Sequence, residues 1–284
     1  MPRARRRGTR LEGAVAVVTG AAGQIGRRLL ADLESRGAVV VGLDLAAACP
    51  DGDPRFLPCD VTDEDAVRAA FAEVGRRHPA GVDLLVLAAG ISAIGRLDDH
   101  DLATHRRVMD VTHFGALSCL LAALPALRSA RGRVVLIGSV AGFAPVLGRP
   151  PYVAAKHAGT GLFTAVRPEL ADDGVAVTLC HPTFVTGGMA EAAARAPGAE
   201  RSTSGEELTP ADVSVALLDG VERGDDLVLV GRTARLSWWV SRHAPGLYTR
   251  MMLRRLGRTA GDRRPTGAEH PTDPARPARP GGAA

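Results

Sequence analysis

The sequence predicts a single domain with an α/β architecture: a doubly wound parallel sheet in a three-layer α/β/α arrangement. Three observations predict it. Short runs rich in β-branched residues recur along the chain, each continuously apolar, as strands buried on both faces of a sheet are. Between them lie stretches of helical character, the crossovers that parallel neighbours require. A chain of 284 residues with 46% hydrophobic residues can bury a full core in one domain.

In chain order the predicted strands are "AVAVVTG" from Ala14, "AVVVGLD" from Ala38, a shorter "RFLPCDV" from Arg55, "VDLLVLAAG" from Val82, "RVVLIGS" from Arg133, "VAVTLCHP" from Val175 and "DLVLVG" from Asp226. Pro150 and Pro151 are placed to start the helix that follows the fifth strand. The longest apolar run, "FGALSCLLAALPAL" from Phe114, contains Pro125 and reads as a buried or subunit-facing helix. It falls short of the ~18 residues that suggest a membrane span. Residues 1–10 read as a basic N-terminal tail, 11–232 as the domain, 233–258 as an amphipathic basic segment and 259–284 as a disordered tail rich in Pro and Gly.

The net charge of +4 hides an asymmetry: residues 1–11 carry five arginines, residues 232–284 carry eleven arginines against three acids, and residues 12–231 sum to −9. An acidic body with basic ends excludes a nucleic-acid-binding fold with a continuous basic face. Cys49, Cys59, Cys119 and Cys180 form no C-x-x-C pair and no metal-ligand spacing, and the histidines form no ligand cluster. Free thiols in a reducing compartment, a cytoplasmic location and no metal are expected.

Chemistry in such a sheet is sought beyond the carboxyl ends of its strands. At the first, "VVTGAAGQIGR" passes from strand to helix through Gly20, Gly23 and Gly26, where glycines allow close backbone approach and the helix N-terminus attracts a pyrophosphate. Asp44 closes the next strand; a carboxylate there accepts from ribose hydroxyls and repels a 2′-phosphate, which favours NAD over NADP. At the fifth strand end stands Ser139. The helix after it carries Tyr152 and, four residues on, Lys156, the only lysine in the chain. Residues four apart share a helix face, and an ammonium beside a phenol favours the phenolate, which makes Tyr152 a usable general acid/base. Taken alone, Ser139 could cap a turn and Tyr152 could be a core aromatic.

On these motifs, together with "CDVTD" from Cys59, "LAAG" from Leu87, "YVAAK" from Tyr152 and "HPTFVTGG" from His181, the chain resembles the short-chain dehydrogenase/reductase family over roughly residues 11–232. The resemblance implies a Rossmann-type fold and a catalytic Ser139, Tyr152 and Lys156, the lysine also binding the nicotinamide ribose. It also implies a cofactor site of Gly20, Gly23, Gln24, Ile25, Gly26 and Asp44, with Asp60 and Val61 at the adenine. Ala88, Ala89 and Gly90 would line the cofactor, and Pro182, Thr183 and Val185 the nicotinamide carboxamide.

Three positions depart from the family's classical branch. Gln24 replaces the loop's middle glycine, "LAAG" lacks asparagines, and Thr112 occupies the place of an asparagine implicated in a water-mediated proton relay behind the lysine. Thr112 is therefore a relay candidate. The expected activity is interconversion of a secondary alcohol and a ketone on a small, lipophilic substrate with NAD, by a homodimer or homotetramer. A redox-silent, NAD-binding regulatory protein and a sugar-nucleotide epimerase are the alternatives. The segment Thr186–Thr209 falls where the family closes over substrate. "WWVSRHAPGLYTRMMLRRLGR" from Trp238 sets Leu247, Tyr248, Met251, Met252 and Leu256 against Arg250, Arg254, Arg255 and Arg258. It is expected to pack on its own domain, cover the pocket, meet another subunit or touch a membrane peripherally.

Overall fold

In the computed structural model, residues 8–187, 194–195 and 206–260 are described, apart from the side chains of 194, 195 and 255–260. The first seven residues, the tail from 261 and most of the expected substrate-closing segment lie outside the described residues, as do the side chains of Arg255, Leu256 and Arg258.

All seven expected strands form, as β1 (Val15–Thr19), β2 (Val39–Asp44), β3 (Phe56–Pro58), β4 (Leu84–Leu87), β5 (Arg133–Ile137), β6 (Ala176–Pro182) and β7 (Leu227–Val230). They make one parallel sheet in the order β7-β6-β5-β4-β1-β2-β3. The helices between and after them are α1 (Gln24–Ser35), α2 (Glu64–Arg77), α3 (Leu102–Met109), α4 (Gly115–Ala130), α5 (Pro150–Asp172), α6 (Pro210–Arg223), α7 (Arg232–His243) and α8 (Pro245–Ala260).

The sheet is buried on both faces because its side chains alternate between two cores. Val17, Leu85, Val134 and Leu136 point to the layer of α2, α4 and α5, packing with Val67, Leu127 and Phe163. Ala16, Val18, Val86, Val135 and Ile137 point to the layer of α1 and α6, packing with Leu29, Leu33, Val213 and Leu217. Chain order reverses between β1 and β4, so the loops after these strands diverge and open a crevice there.

Three local features differ from the sequence reading. The expected N-terminal tail is tied in at its end: Thr9 N–H donates to Val221 O, and its hydroxyl accepts from Nε of the buried Arg133 at 3.1 Å. The apolar run from Phe114 continues α3 through a π turn, Asp110–Phe114, into α4, giving a helical rod from Leu102 to Ala130 that has the length and apolarity of a membrane span by composition alone. Its inward residues Cys119, Leu120, Ala123 and Leu127 lie in the core beneath the sheet. At the C-terminus Pro245 starts a second helix, on which the expected apolar set splits: Tyr248 is buried and Met252 packs beside it, whereas Leu247, about 100° round the helix from Tyr248, faces outward.

Candidate active site

Each of the first two strand ends supplies part of a cradle. At the end of β1, Gly20 has φ +66, and a Cβ there would lie 2.8 Å from the backbone of Ala89. Only glycine lets β1 and β4 approach so closely at the crevice. Gly26 lies against the Gly20 carbonyl, which a Cβ would strike. Gly23 N-caps α1 with no side-chain cap and no acid in the first turn, so the helix presents its N–H groups and positive end to the crevice. Asp44 closes β2 with Oδ2 accepting from Ala22 N–H at 2.8 Å and Oδ1 from Leu45 N–H at 2.8 Å. Two further acceptor positions on that carboxylate remain for ribose hydroxyls.

The other predicted cofactor residues line the same carboxyl edge. Thr19 Oγ1 accepts from both Ala88 and Ala89 N–H, at 3.1 and 3.2 Å, bracing the strand ends where "LAAG" has no asparagine. Asp60 accepts from the Thr62 N–H and hydroxyl and fixes the turn that presents Val61, which packs against Gly115. Ile25 packs into the α1 layer. Gln24 reaches across the crevice to Gly187, beyond Pro182, Thr183 and Val185 at the end of β6. A glycine-lined cleft, an exposed helix N-terminus and a strand-end carboxylate fit a dinucleotide.

Ser139, Tyr152 and Lys156 come together as the sequence predicts. β5 stops at Ile137, and Ser139 N-caps the short turn Val140–Gly142, its hydroxyl accepting from Ala141 N–H at 3.1 Å. Pro150 and Pro151 start α5, whose face buries Tyr152 and Lys156 at 7% and 4% exposure. The Tyr152 phenol stands beside the Ser139 side chain, which favours its ionised form. Gly90 and Thr112 close the group: a Cβ at Gly90 would lie 3.4 Å from Thr112 Oγ1 and 3.8 Å from Lys156 Nζ.

The electrostatics correct one expectation. The sequence suggests that the ammonium pulls the phenol down. Instead, burial pushes Tyr152 above its ordinary value, opposed by the Arg149 charge and the neighbouring Ser139 side chain. Burial also pulls Lys156 down to about 8. The reason is geometric: Lys156 Nζ lies 5.6 Å from the Tyr152 ring centre and donates to Ile137 O at 2.7 Å. Both groups are removed from water, and neither charge is solvated by the other.

Thr112, 3% exposed, lies in the π turn, with Oγ1 accepting from Ile91 N–H at 3.1 Å and donating to Ile91 O at 3.3 Å. Its single proton is committed, so toward a water it can only accept. Thr112→Val is expected to lower the unfolding free energy by about 2 kcal/mol, since it leaves both Ile91 groups unpaired. Urea denaturation measures this, and a stability equal to wild type would show that Ile91 finds other partners.

Sequence reading passed over two residues. His181, fully buried on β6, puts Nδ1 2.9 Å from Ser139 O and 3.2 Å from Ser139 N, and its ring packs edge-on against Phe143. Burial pulls it down to about 4, partly offset by the Ser139 hydrogen bond; Nε2 has no hydrogen-bond partner among the described residues. Arg149, one turn before Tyr152, holds its guanidinium carbon 5.8 Å from the Phe184 ring centre. A signal for His181 lies in strand register, because Cys180 pairs with Ile137 and so places residue 181 beside the Ser139 turn. Of the histidines expected to pack, His157 is exposed and bonds Val153 O at 3.0 Å, while His113 is half-buried against Phe114.

The comparison with known families decides what this arrangement belongs to. The family model for short chain dehydrogenase matches residues 14–197. The chain is a short-chain dehydrogenase/reductase. A relative from Bos taurus, dehydrogenase/reductase SDR family member 7B, is 30% identical over 264 residues, covering 85% of this chain and 81% of its own. A 3beta-hydroxysteroid dehydrogenase from Mediterraneibacter gnavus is 29% identical, covering 80% and 83%. Among solved structures, a short chain dehydrogenase from Burkholderia cenocepacia in complex with NADP superposes with a TM-score of 0.75 at 26% identity, covering 86% of this chain and 99% of that one. This short-chain dehydrogenase/reductase thus has an oxidoreductase's fold and nucleotide-binding architecture.

Proposed function

We propose that this short-chain dehydrogenase/reductase interconverts a secondary alcohol and a ketone on a small lipophilic substrate, with NAD as cofactor. The observation that carries the reading is the convergence of Ser139, buried Tyr152 and buried Lys156 beside the glycine cradle. A nicotinamide held by the glycine cradle would supply or accept the hydride. In reduction, Ser139 donates to the substrate carbonyl oxygen and holds it in line with Tyr152. Tyr152, kept protonated by burial, gives that oxygen its proton. In oxidation the phenolate takes the proton back. The buried Lys156 amine stands beside Gly90, where it would hold the nicotinamide ribose, as in the family the chain belongs to. The steroid dehydrogenase relative supports a lipophilic substrate, and Phe114 and Leu121, exposed on the α4 rod, support a homo-oligomer.

Parallel assays of secondary alcohols and ketones with NAD and NADP test the reading; cofactor binding with no turnover on a broad panel would favour the regulatory alternative. Asp44 supports NAD. Asp44→Ala is expected to lower kcat/KM with NAD by roughly 10- to 100-fold, the worth of charge-assisted hydrogen bonds, and to raise it with NADP. Equal losses with both cofactors would instead mean that Asp44 only supports the Ala22 loop.

A further inference from the structure

The outer face of α7 is built of two residue types. Arg232, Arg235, Leu236, Trp239, Arg242 and His243 are all exposed and fall within one arc of the helix, while Ala234, Ser237 and Val240 form its buried side. Trp239 and Leu236 stand out at 60% and 57% exposure. Leu247, Arg250 and Arg254 share an outer face of α8, with Leu253 at its edge. Residues 232–258 contain seven arginines and no Asp or Glu, whereas residues 12–231 sum to −9. Exposed Leu and Trp interleaved with arginine, without any acid, are the composition of a helix that lies in a lipid interface. The inner side is occupied: Val240 and Tyr248 pack on Val140 and Ala144, and the Trp238 ring meets Phe143 at 4.7 Å. The outer side is therefore not the remainder of an unfinished core.

We propose that the α7–α8 face docks on an anionic lipid bilayer surface, with Trp239, Leu236 and Leu247 entering the interface and Arg232, Arg235, Arg250 and Arg254 meeting lipid phosphates and carboxylates. Charge complementarity selects this partner and the orientation, since the acidic body is repelled by the surface that attracts this face. α7 packs directly on the turn that follows Ser139, so docking sets that turn one helix away from the bilayer surface. The docking does not depend on which reaction the site performs.

The two tryptophans of the chain both lie in α7, Trp239 on its outer face and Trp238 on its inner side, so tryptophan fluorescence reads this helix alone and Trp239 reports the face. The full chain is mixed with vesicles of phosphatidylcholine, with or without one third phosphatidylserine. Cosedimentation with the anionic vesicles only, reversed by high salt and accompanied by a blue shift and by quenching from brominated lipid, is expected. Arg232→Gln with Arg235→Gln is expected to weaken binding about 25-fold, roughly fivefold per arginine, and adding Trp239→Ser to remove the fluorescence shift. Thermal melting of the variants checks that they remain folded. The proposal is overturned by no vesicle binding, by equal binding to neutral vesicles, or by unchanged binding of the folded triple variant. It is equally overturned if duplex DNA outcompetes the vesicles, or if the variants break an oligomer while wild type ignores lipid.

Discussion

Tyr152→Phe is expected to lower turnover by about 10²- to 10⁴-fold, the contribution of a positioned general acid/base, while leaving dinucleotide affinity within about twofold. Phenylalanine keeps the ring that fills the buried site with Ala93, Val108 and Ala155, so the melting temperature should barely move. What it removes is the hydroxyl that stands beside Ser139. Ser139 keeps its bond from Ala141 N–H, so the turn does not collapse. Single-turnover kinetics with nicotinamide fluorescence separate the two effects. The pH dependence has a definite sign. The protonated phenol is the acid for reduction, so that direction slows as pH rises through the pKa of Tyr152. Oxidation needs the phenolate and accelerates over the same range. A variant that retained full turnover would remove Tyr152 from the chemistry.

The second large effect is on stability, and it comes from His181. Its folded-state value is about 4 against 6.5 for an ordinary imidazole, because burial disfavours the charged ring and Lys156, Arg242 and His157 add repulsion. The neutral ring is therefore fully accommodated above pH 6.5, and stability falls as pH drops from 6.5 toward 4, where the unfolded chain binds a proton that the folded chain resists. The expected loss across that window is about 3 kcal/mol, the worth of a shift of this size. Urea denaturation between pH 7 and 4.5 measures it. His181→Asn, which keeps a donor near Ser139 O but does not titrate, should flatten the slope. An unchanged slope would assign the acid sensitivity to other groups.

The sheet is legible because burial on both faces writes itself into continuous apolar runs, and each of the seven became a strand. Ser139, Tyr152 and Lys156 are legible because strand ends and a one-turn helix spacing fix where such residues stand. Less readable were partnerships made across the fold. The carbonyl that receives Lys156 belongs to Ile137, 19 residues earlier, and only the bend after β5 aims it. His181 meets Ser139 across 42 residues through strand register, which no local pattern records. Likewise Leu247 looks like part of an apolar stripe, yet in the helix from Pro245 it is Tyr248 that faces the domain and Leu247 that faces outward, because which arc docks is set by the partner residues.

The π turn at Asp110–Phe114 inserts one residue more than a regular helical turn holds, which offsets everything before it by about 100° from everything after. One rod can thereby serve two masters. Upstream, Val108 turns toward Tyr152 and Ala155; downstream, Cys119, Ala123 and Leu127 turn beneath the sheet. The extra residue works as a phase shifter, joining the register of the reacting group to that of the core without a break in the chain.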